Sequence, residues 1–284
     1  MNVYETKIIC KTFQGLEQVL AEELQALNAK NIEVIKRAVV CDFDKELLYR
    51  CNLELRTCLK VLVPVFEFES NSTDDLYNFA TRIAWEDYFN INQSFAIDFT
   101  IQSELFKHSQ FAALKLKDAI CDRFVDKFDV RPNVDLDRPT LRIYVHIFRN
   151  QVNVSLDSSG DSLFKRGYRV DIDTAPMKEV LAAGMVLLSN WQPHLPLIDG
   201  MCGSGTLGIE AALFANNIPP GVFREEFGFM KWHDYDKELW DKIYESSINR
   251  IKDDMPNIIS SDIDIVPLEM AKRNGAVAKV DDVI

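Results

Sequence analysis

The feature that most constrains this 284-residue chain is a short apolar run that passes through a glycine-rich turn into a helix-forming stretch. Leu195-Pro196-Leu197-Ile198-Asp199 reads as a strand, Gly200 to Gly208 as the turn, and Ile209 to Ala215 as the helix. A strand, glycine loop and helix in that order open a doubly wound α/β sheet, and Gly203, Gly205 and Gly208 satisfy the G-x-G-x-x-G spacing. Glycines let the backbone approach a ligand closely, and a helix N-terminus offers N–H groups. Many nucleotide-like ligands are served by such a loop, so the motif alone does not choose among them.

The neighbouring acids narrow the choice. In a dinucleotide site the loop faces a pyrophosphate and the ribose-binding acid follows about 20 residues on. Here Asp199 sits at the strand end beside the loop, where a carboxylate opposes an anion and suits a cation. S-adenosylmethionine offers an ammonium and a sulfonium. The next strand, Asn257 to Asp262, comes after a long insertion and ends in an acid that is placed to accept both ribose hydroxyls; Asp262 is better aligned for this than Asp264. The bland alternative is that these acids are helix caps or turn formers. An NAD-dependent oxidoreductase is a further alternative, and it rests on the glycine spacing alone.

At this length two or three units are expected. The chain begins with a strand (Tyr4 to Thr12) and an amphipathic helix carrying Leu16, Leu20, Leu24 and Leu27, then further strand through Phe43 and a helix around Leu47 to Arg56. Leu59 to Phe68 is β-rich. Ser72 caps a helix expected to run through Trp85, Ser94 to Gln102 alternates as a half-buried strand, and a helix spans about Gln110 to Phe128. Turn-rich Val130 to Asn133 precedes two strands, Leu141 to Phe148 and Val152 to Leu156, and Ser158 to Ser162 is the linker candidate. In the insertion, Phe223, Phe227, Phe229, Trp232 and a helix bearing Trp240, Ile243, Tyr244, Ser247 and Ile251 form a stripe that reads as core.

The formal charge of −12 argues against a polyanion partner until it is located. Residues 61 to 100 carry seven acids and one base, whereas 101 to 178 carry 13 bases and 11 acids. A local basic patch binds what the net charge repels. Six scattered cysteines without Cys-x-x-Cys, and four histidines, encode neither a zinc site nor a disulfide scaffold; His146 and His233 carry no chemistry. No apolar window is long enough to span a bilayer and no signal pattern precedes Lys7, so a soluble cytoplasmic protein, without metal or membrane partner, is expected.

Several ordered motifs resemble the THUMP-containing RNA methyltransferases, most closely the bacterial 23S ribosomal RNA guanine-N2 methyltransferases. They are Gly15-Leu16-Glu17, Cys51 to Thr57, Leu114 to Ile120, Arg131-Pro132, Leu156 to Gly160, Leu163-Phe164-Lys165-Arg166-Gly167-Tyr168-Arg169, Ala175 to Glu179 and Asp199 to Thr206. The resemblance covers essentially the whole chain, with Gly200 where the family has proline. It implies α+β ferredoxin-like and THUMP modules followed by the first part of an α/β Rossmann-like methyltransferase domain. The expected bounds are 1–45 for the ferredoxin-like module, 46–157 for THUMP, 158–178 for a linker and cofactor-covering segment, and 179–284 for the methyltransferase part. It further implies that S-adenosylmethionine is held by Asp199, Gly203, Ser204, Gly205, Thr206 and Asp262 and covered by Ala175 to Glu179, including Lys178 and Glu179. Lys115, Lys117, Arg131, Lys165, Arg166 and Arg169 are the candidate contacts to large-subunit ribosomal RNA, met before full assembly; for Lys115 and Lys117 a solvated helix face explains the charge equally well.

The family's Asn-Pro-Pro-Tyr-type motif, which holds the exocyclic amine of a flipped base, does not occur in the 284 residues. Pro219-Pro220 lies in the wrong loop. A C-terminally truncated member is therefore expected, whose two-strand sheet exposes an edge. The alternative to guanine-N2 methylation is a catalytically inactive RNA-binding module.

Overall fold

The computed structural model describes residues 6–106, 109–171, 175–254 and 256–281, with backbone only at 109 and 110. The expected strand start at Tyr4, three residues of the 158–178 segment and the last three residues lie outside the described residues. In chain order the elements are β1 (Lys7–Lys11), α1 (Glu17–Ala26), β2 (Glu33–Ile35), β3 (Ala38–Asp42), α2 (Lys45–Glu54), β4 (Lys60–Glu69), α3 (Thr73–Arg82), β5 (Ser94–Gln102), α4 (Ser109–Phe128), β6 (Asn133–Val134), β7 (Leu141–Phe148) and β8 (Gln151–Asp157). There follow α5 (Glu179–Leu188), β9 (Leu197–Asp199), α6 (Thr206–Ala215), α7 (Lys237–Ile248), β10 (Ile258–Ser260) and α8 (Ile265–Ala278). Two compact units result, Met1–Ile9 with Leu62–Gly160 and Phe227–Tyr235, and Cys10–Val61 with Asp161–Glu226 and Asp236–Ile284.

The first unit is a mixed sheet in the order β4-β8-β7-β5-β6, in which β7 pairs antiparallel with β8 and parallel with β5. Alternating residues Ile143, Val145 and Ile147 of β7, with Val152 and Val154 of β8, meet Phe89, Leu116, Ile120 and Phe124 in one buried core. The Ser72 hydroxyl accepts from the Asp75 N–H at 3.0 Å and starts α3. That helix stops at Arg82, short of the expected Trp85, because Ile83 turns extended (ψ 132°). Trp85 lies in a following 3-10 turn and donates its indole N–H to Ala80 O at 2.8 Å. Asn133, expected as turn, forms the short β6 with Val134 beside β5.

The linker expected at Ser158 to Ser162 is not a loose one at its start. Ser158 and Ser159 are fully buried, and the Asp157 carboxylate accepts the Ser159 N–H at 2.9 Å. Gly160 adopts φ +73°, and an added Cβ there would lie 3.2 Å from the backbone of Gly228. The turn is thus packed backbone to backbone, which bare glycines permit.

In the second unit β2 and β3 form a hairpin and β9 and β10 a parallel pair with Leu197 opposite Ile258 and Ile198 opposite Ile259. One face of that pair is buried, with Ile258 joining Val186, Ile209, Leu213 and Ala278. The other is open, with Ile198 70% and Ile259 48% exposed. The insertion divides between cores: Phe227 and Phe229 are buried within the first unit, and Trp240 and Ile243 of α7 within the second. Tyr244 is more exposed than its place in the stripe predicts. All six cysteines are buried.

The first unit holds one strongly perturbed carboxylate. The Arg123 guanidinium (2.6 Å) and the Lys127 ammonium (2.7 Å) beside Glu86 hold its carboxyl down from 4.5 to about 2. A pKa depressed on folding stabilises above the unfolded value and loses that contribution as pH falls through the folded one. Urea unfolding is therefore expected to show wild-type stability falling between about pH 4.5 and pH 2, and Glu86→Gln to flatten that fall. An identical pH profile for the variant would remove Glu86 from the account.

Candidate functional site

The site forms where β9 and β10 end side by side, since ligands of doubly wound sheets lie beyond the carboxyl ends of the strands. Hydrogen bonds fix the two tips: Ser261 N–H donates to Asp199 O at 2.8 Å and Cys202 N–H to Ser261 O at 3.0 Å. The Asp262 carboxylate then accepts the Gly203 N–H at 2.9 Å and the Asp264 N–H at 3.1 Å. These bonds, with no opposing positive side chain needed, hold the Asp262 carboxyl below the usual carboxylate range. Asp199 accepts the Met201 N–H at 3.2 Å and flanks the same loop. Asp199, Gly203 and Asp262 are thereby brought together, whereas Asp264 turns away to cap α8 through the Val266 N–H at 3.0 Å.

Gly203 (φ +53°) and Gly205 (φ +80°) both occupy the left-handed region. A Cβ on Gly203 would meet open space, so the loop backbone there is accessible to a ligand. A Cβ on Gly205 would come within 2.7 Å of the Ala271 side chain, so this glycine serves the packing of α8 against the loop. Helix α6 begins directly after it without a side-chain cap. The Cys202 thiol is pushed up by burial and by the charges of Asp199 and Asp262.

The remaining expected cofactor residues are placed differently. Ser204 and Thr206 are buried, and their hydroxyls accept from Arg169 at 3.0 and 2.8 Å. Arg169 also donates to the Glu179 carboxylate at 2.8 Å and to Met177 O at 3.1 Å. Glu179 thus serves Arg169, and Arg169, expected at RNA, is a cross-link between the covering segment and the glycine loop. Lys178 is exposed, its ammonium 5.1 Å from the centre of the Phe164 ring. Arg166, also expected at RNA, is only 2% exposed; it pairs with Glu210 of α6 at 3.4 Å and donates to Leu163 O at 3.0 Å. A guanidinium so enclosed has no face left for a phosphate.

The other candidate RNA contacts reach solvent. Lys117 and Arg131 lie 3.4 and 3.5 Å from Asp118, Lys115 lies 3.9 Å from Asp74, and Lys165 pairs with Asp161 at 3.2 Å. Such partly exposed pairs are worth little and exchange easily for another anion.

Sequence reading missed Asn274. Fully buried on α8, its carboxamide oxygen accepts from Val170 N–H at 2.9 Å and Asp171 N–H at 3.0 Å, while its nitrogen donates to Ser204 O and Asp171 O, each at 3.2 Å. The signal was present, since Asn274 falls among Ala271, Gly275 and Ala278 on the buried stripe of α8. Glu210, a lone carboxylate within the apolar α6, was similarly legible.

With this geometry stand the likenesses to known proteins. Family models match residues 7–62 (RlmL ferredoxin-like domain), 70–157 (THUMP domain) and 166–284 (RMKL-like, methyltransferase domain). The ribosomal RNA large subunit methyltransferase K/L of Syntrophotalea carbinolica is 38% identical over 276 residues; these cover 94% of this chain and 39% of that protein. The crystal structure of a predicted N6-adenine-specific DNA methylase from Listeria monocytogenes matches at TM-score 0.86 and 30% identity, covering 98% of this chain and 73% of the other. SMU.472, a methyltransferase crystallised with SAH, matches at TM-score 0.86 and 28% identity over 98% and 74%. The chain belongs to the THUMP-domain family of RlmL-like methyltransferases. It consists of a ferredoxin-like domain, a THUMP domain and part of a methyltransferase domain, and it spans 39% of the length of the curated relative. Among the described residues no helix is long and apolar enough to cross a membrane, and no group of three His, Cys, Asp or Glu is arranged to hold a metal.

Asn274→Ala strands two backbone N–H groups and a buried carbonyl, at about 1–3 kcal/mol for each buried group left unsatisfied. A clear fall in the urea midpoint of the whole chain is the expected result; an unchanged midpoint would show that the carboxamide does not hold the loop.

Proposed function

We propose that the protein to which this chain belongs transfers a methyl group from S-adenosylmethionine to the N2 amine of a guanine in large-subunit ribosomal RNA. The observation that carries the cofactor reading is the convergence of Asp199, Gly203 and Asp262 at the tips of β9 and β10. Two carboxylates beside an accessible loop backbone suit a ligand that is cationic at one end and carries a diol at the other. Asp262 would hold the ribose hydroxyls, Asp199 would face the ammonium, and the backbone of Gly203 to Thr206 would line the methionine part. Ser204, Thr206 and Glu179 act behind them through Arg169, by fixing the segment that leads to Met177 and Lys178. The cofactor, when bound, supplies an electrophilic methyl carbon on a sulfonium. The chain's residues would contribute position and charge: acids that favour the cation, and a loop backbone that orients the cofactor.

The substrate reading is supported by the THUMP match and by the name of the Syntrophotalea carbinolica relative; the Listeria monocytogenes relative is named for adenine in DNA instead. Nucleoside analysis of ribosomal RNA after incubation with the full-length protein decides between them. N2-methylguanosine is expected, and methyl on adenine N6, or on DNA alone, would overturn the guanine reading. Lys115, Lys117, Arg131 and Lys165 are the proposed phosphate contacts.

Two further results are expected. Calorimetric titration should show S-adenosylmethionine binding that Asp262→Ala abolishes and Asp262→Asn weakens at least tenfold; equal affinities would remove Asp262 from the ribose site. Neutralising Lys115, Lys117 and Arg131 together should reduce the slope of log affinity for single-stranded RNA against log salt by about 2, at roughly 0.7 per phosphate contact. An unchanged slope would place the RNA elsewhere.

A further inference from the structure

Within the first unit a cavity of about 520 Å³ is lined by Phe66, Phe68, Phe79, Tyr88, Arg82 and Asp87, with Glu67 at its wall. The Phe68 and Phe79 rings stack with centroids 4.9 Å apart, and Tyr88 sets its edge against Phe66 at 5.9 Å. Phe79 is 39% exposed, so this stack is not buried core. The Arg82 guanidinium carbon lies 5.8 Å from the centre of the Phe79 ring, and its side chain makes no hydrogen bond or ion pair among the described residues.

The charges around the cavity are unevenly spent. Of the seven acids between 61 and 100, Glu86 is engaged by Arg123 and Lys127, Asp98 by Arg142, Glu69 by Gln151, Asp75 by the Asn71 N–H, and Asp74 lies near Lys115. The side chains of Glu67 and Asp87 make no hydrogen bond or ion pair among the described residues, and both line this cavity. An aromatic face attracts a cation through its quadrupole, and fixed carboxylates beside it add to that attraction while repelling phosphate. Arg82 already displays the preference, since the guanidinium of this segment's single base rests on the aromatic surface.

We propose that this groove docks a basic segment of another protein, whose arginine stacks on the Phe68–Phe79 surface and pairs with Glu67 or Asp87. The site shares no residue with the glycine loop and needs no nucleic acid. Arginine is preferred to lysine, because a planar guanidinium stacks as well as pairs.

The test uses the full chain, a fluorescein-labelled arginine decamer, the corresponding lysine decamer and a ten-nucleotide oligouridylate, followed by anisotropy. Phe79→Leu, which keeps apolar volume but removes the ring, and the double variant Glu67→Gln with Asp87→Asn are expected to weaken arginine-decamer binding at least tenfold. Asp74→Asn, at an acid outside the cavity, should leave it unchanged, and the lysine decamer should bind more weakly than the arginine one. Circular dichroism of each variant matching wild type keeps a folding defect from imitating the result. The proposal is overturned if Asp74→Asn weakens binding as much as the double variant, which would make the attraction diffuse. It is equally overturned if Phe79→Leu has no effect, or if oligouridylate affinity falls with the same variants, which would make the groove a nucleobase site.

Discussion

The buried ion pair between Arg166 and Glu210 is the constraint on which the glycine loop of the second unit depends. Glu210 stands on α6, one helical turn beyond the glycine loop, and takes both Arg166 and the Tyr168 hydroxyl, the latter at 3.1 Å. Arg166 donates onward to Leu163 O and, at 2.5 Å, to Arg56 O. Removing either charge would leave its partner enclosed and uncompensated, a loss of about 3–5 kcal/mol for such pairs. Because every guanidinium nitrogen and both carboxylate oxygens are hydrogen-bonded, the pair also sets direction. It fixes the chain at 166 and 168 against α6, so that Arg169, the next charged residue, arrives at Ser204 and Thr206. The three cations of the 165–169 run thus divide by burial: Lys165 reaches solvent, Arg166 locks the helix, and Arg169 clamps the loop.

That division explains what the sequence could and could not say. The order of strands and helices was legible from periodicity and caps, as with Ser72 before α3, because those signals are local. The glycine loop and the acids at the strand tips were legible because backbone conformation and strand ends are written in short motifs. Burial of an arginine is not local. Arg166 and Arg169 read as solvent-facing charge until their partners, Glu210 and Glu179, are known to lie opposite, 44 and 10 residues away. Asn274 was hidden for the same reason, since its value lies in the carbonyl and N–H groups of segments about 70 and 103 residues distant. The short β6 was missed because it exists only by pairing with β5.

The acidity of the chain also resolves into separate tasks once positions are known. Glu210, Glu179 and Glu86 neutralise arginines within the protein and contribute little to its outer field. Asp199 and Asp262 act at close range on the loop, where they add to burial in raising the Cys202 thiol. Glu67 and Asp87 stand beside an aromatic surface without a hydrogen bond or ion pair among the described residues, although Asp87 also supports the charge of Arg123. The net charge of −12 is therefore a poor guide to partners, because a charge already paired inside the fold does not steer what approaches from outside. What steers is the residue left over after internal pairing. Lys115, Lys117 and Arg131 come nearest to this among the bases, because their partly exposed pairs exchange easily for another anion, and the groove beside Phe79 presents carboxylates that make no ion pair among the described residues. If both proposals hold, charge alone keeps the two partners apart, since phosphate is drawn to those cations and a basic segment to those carboxylates.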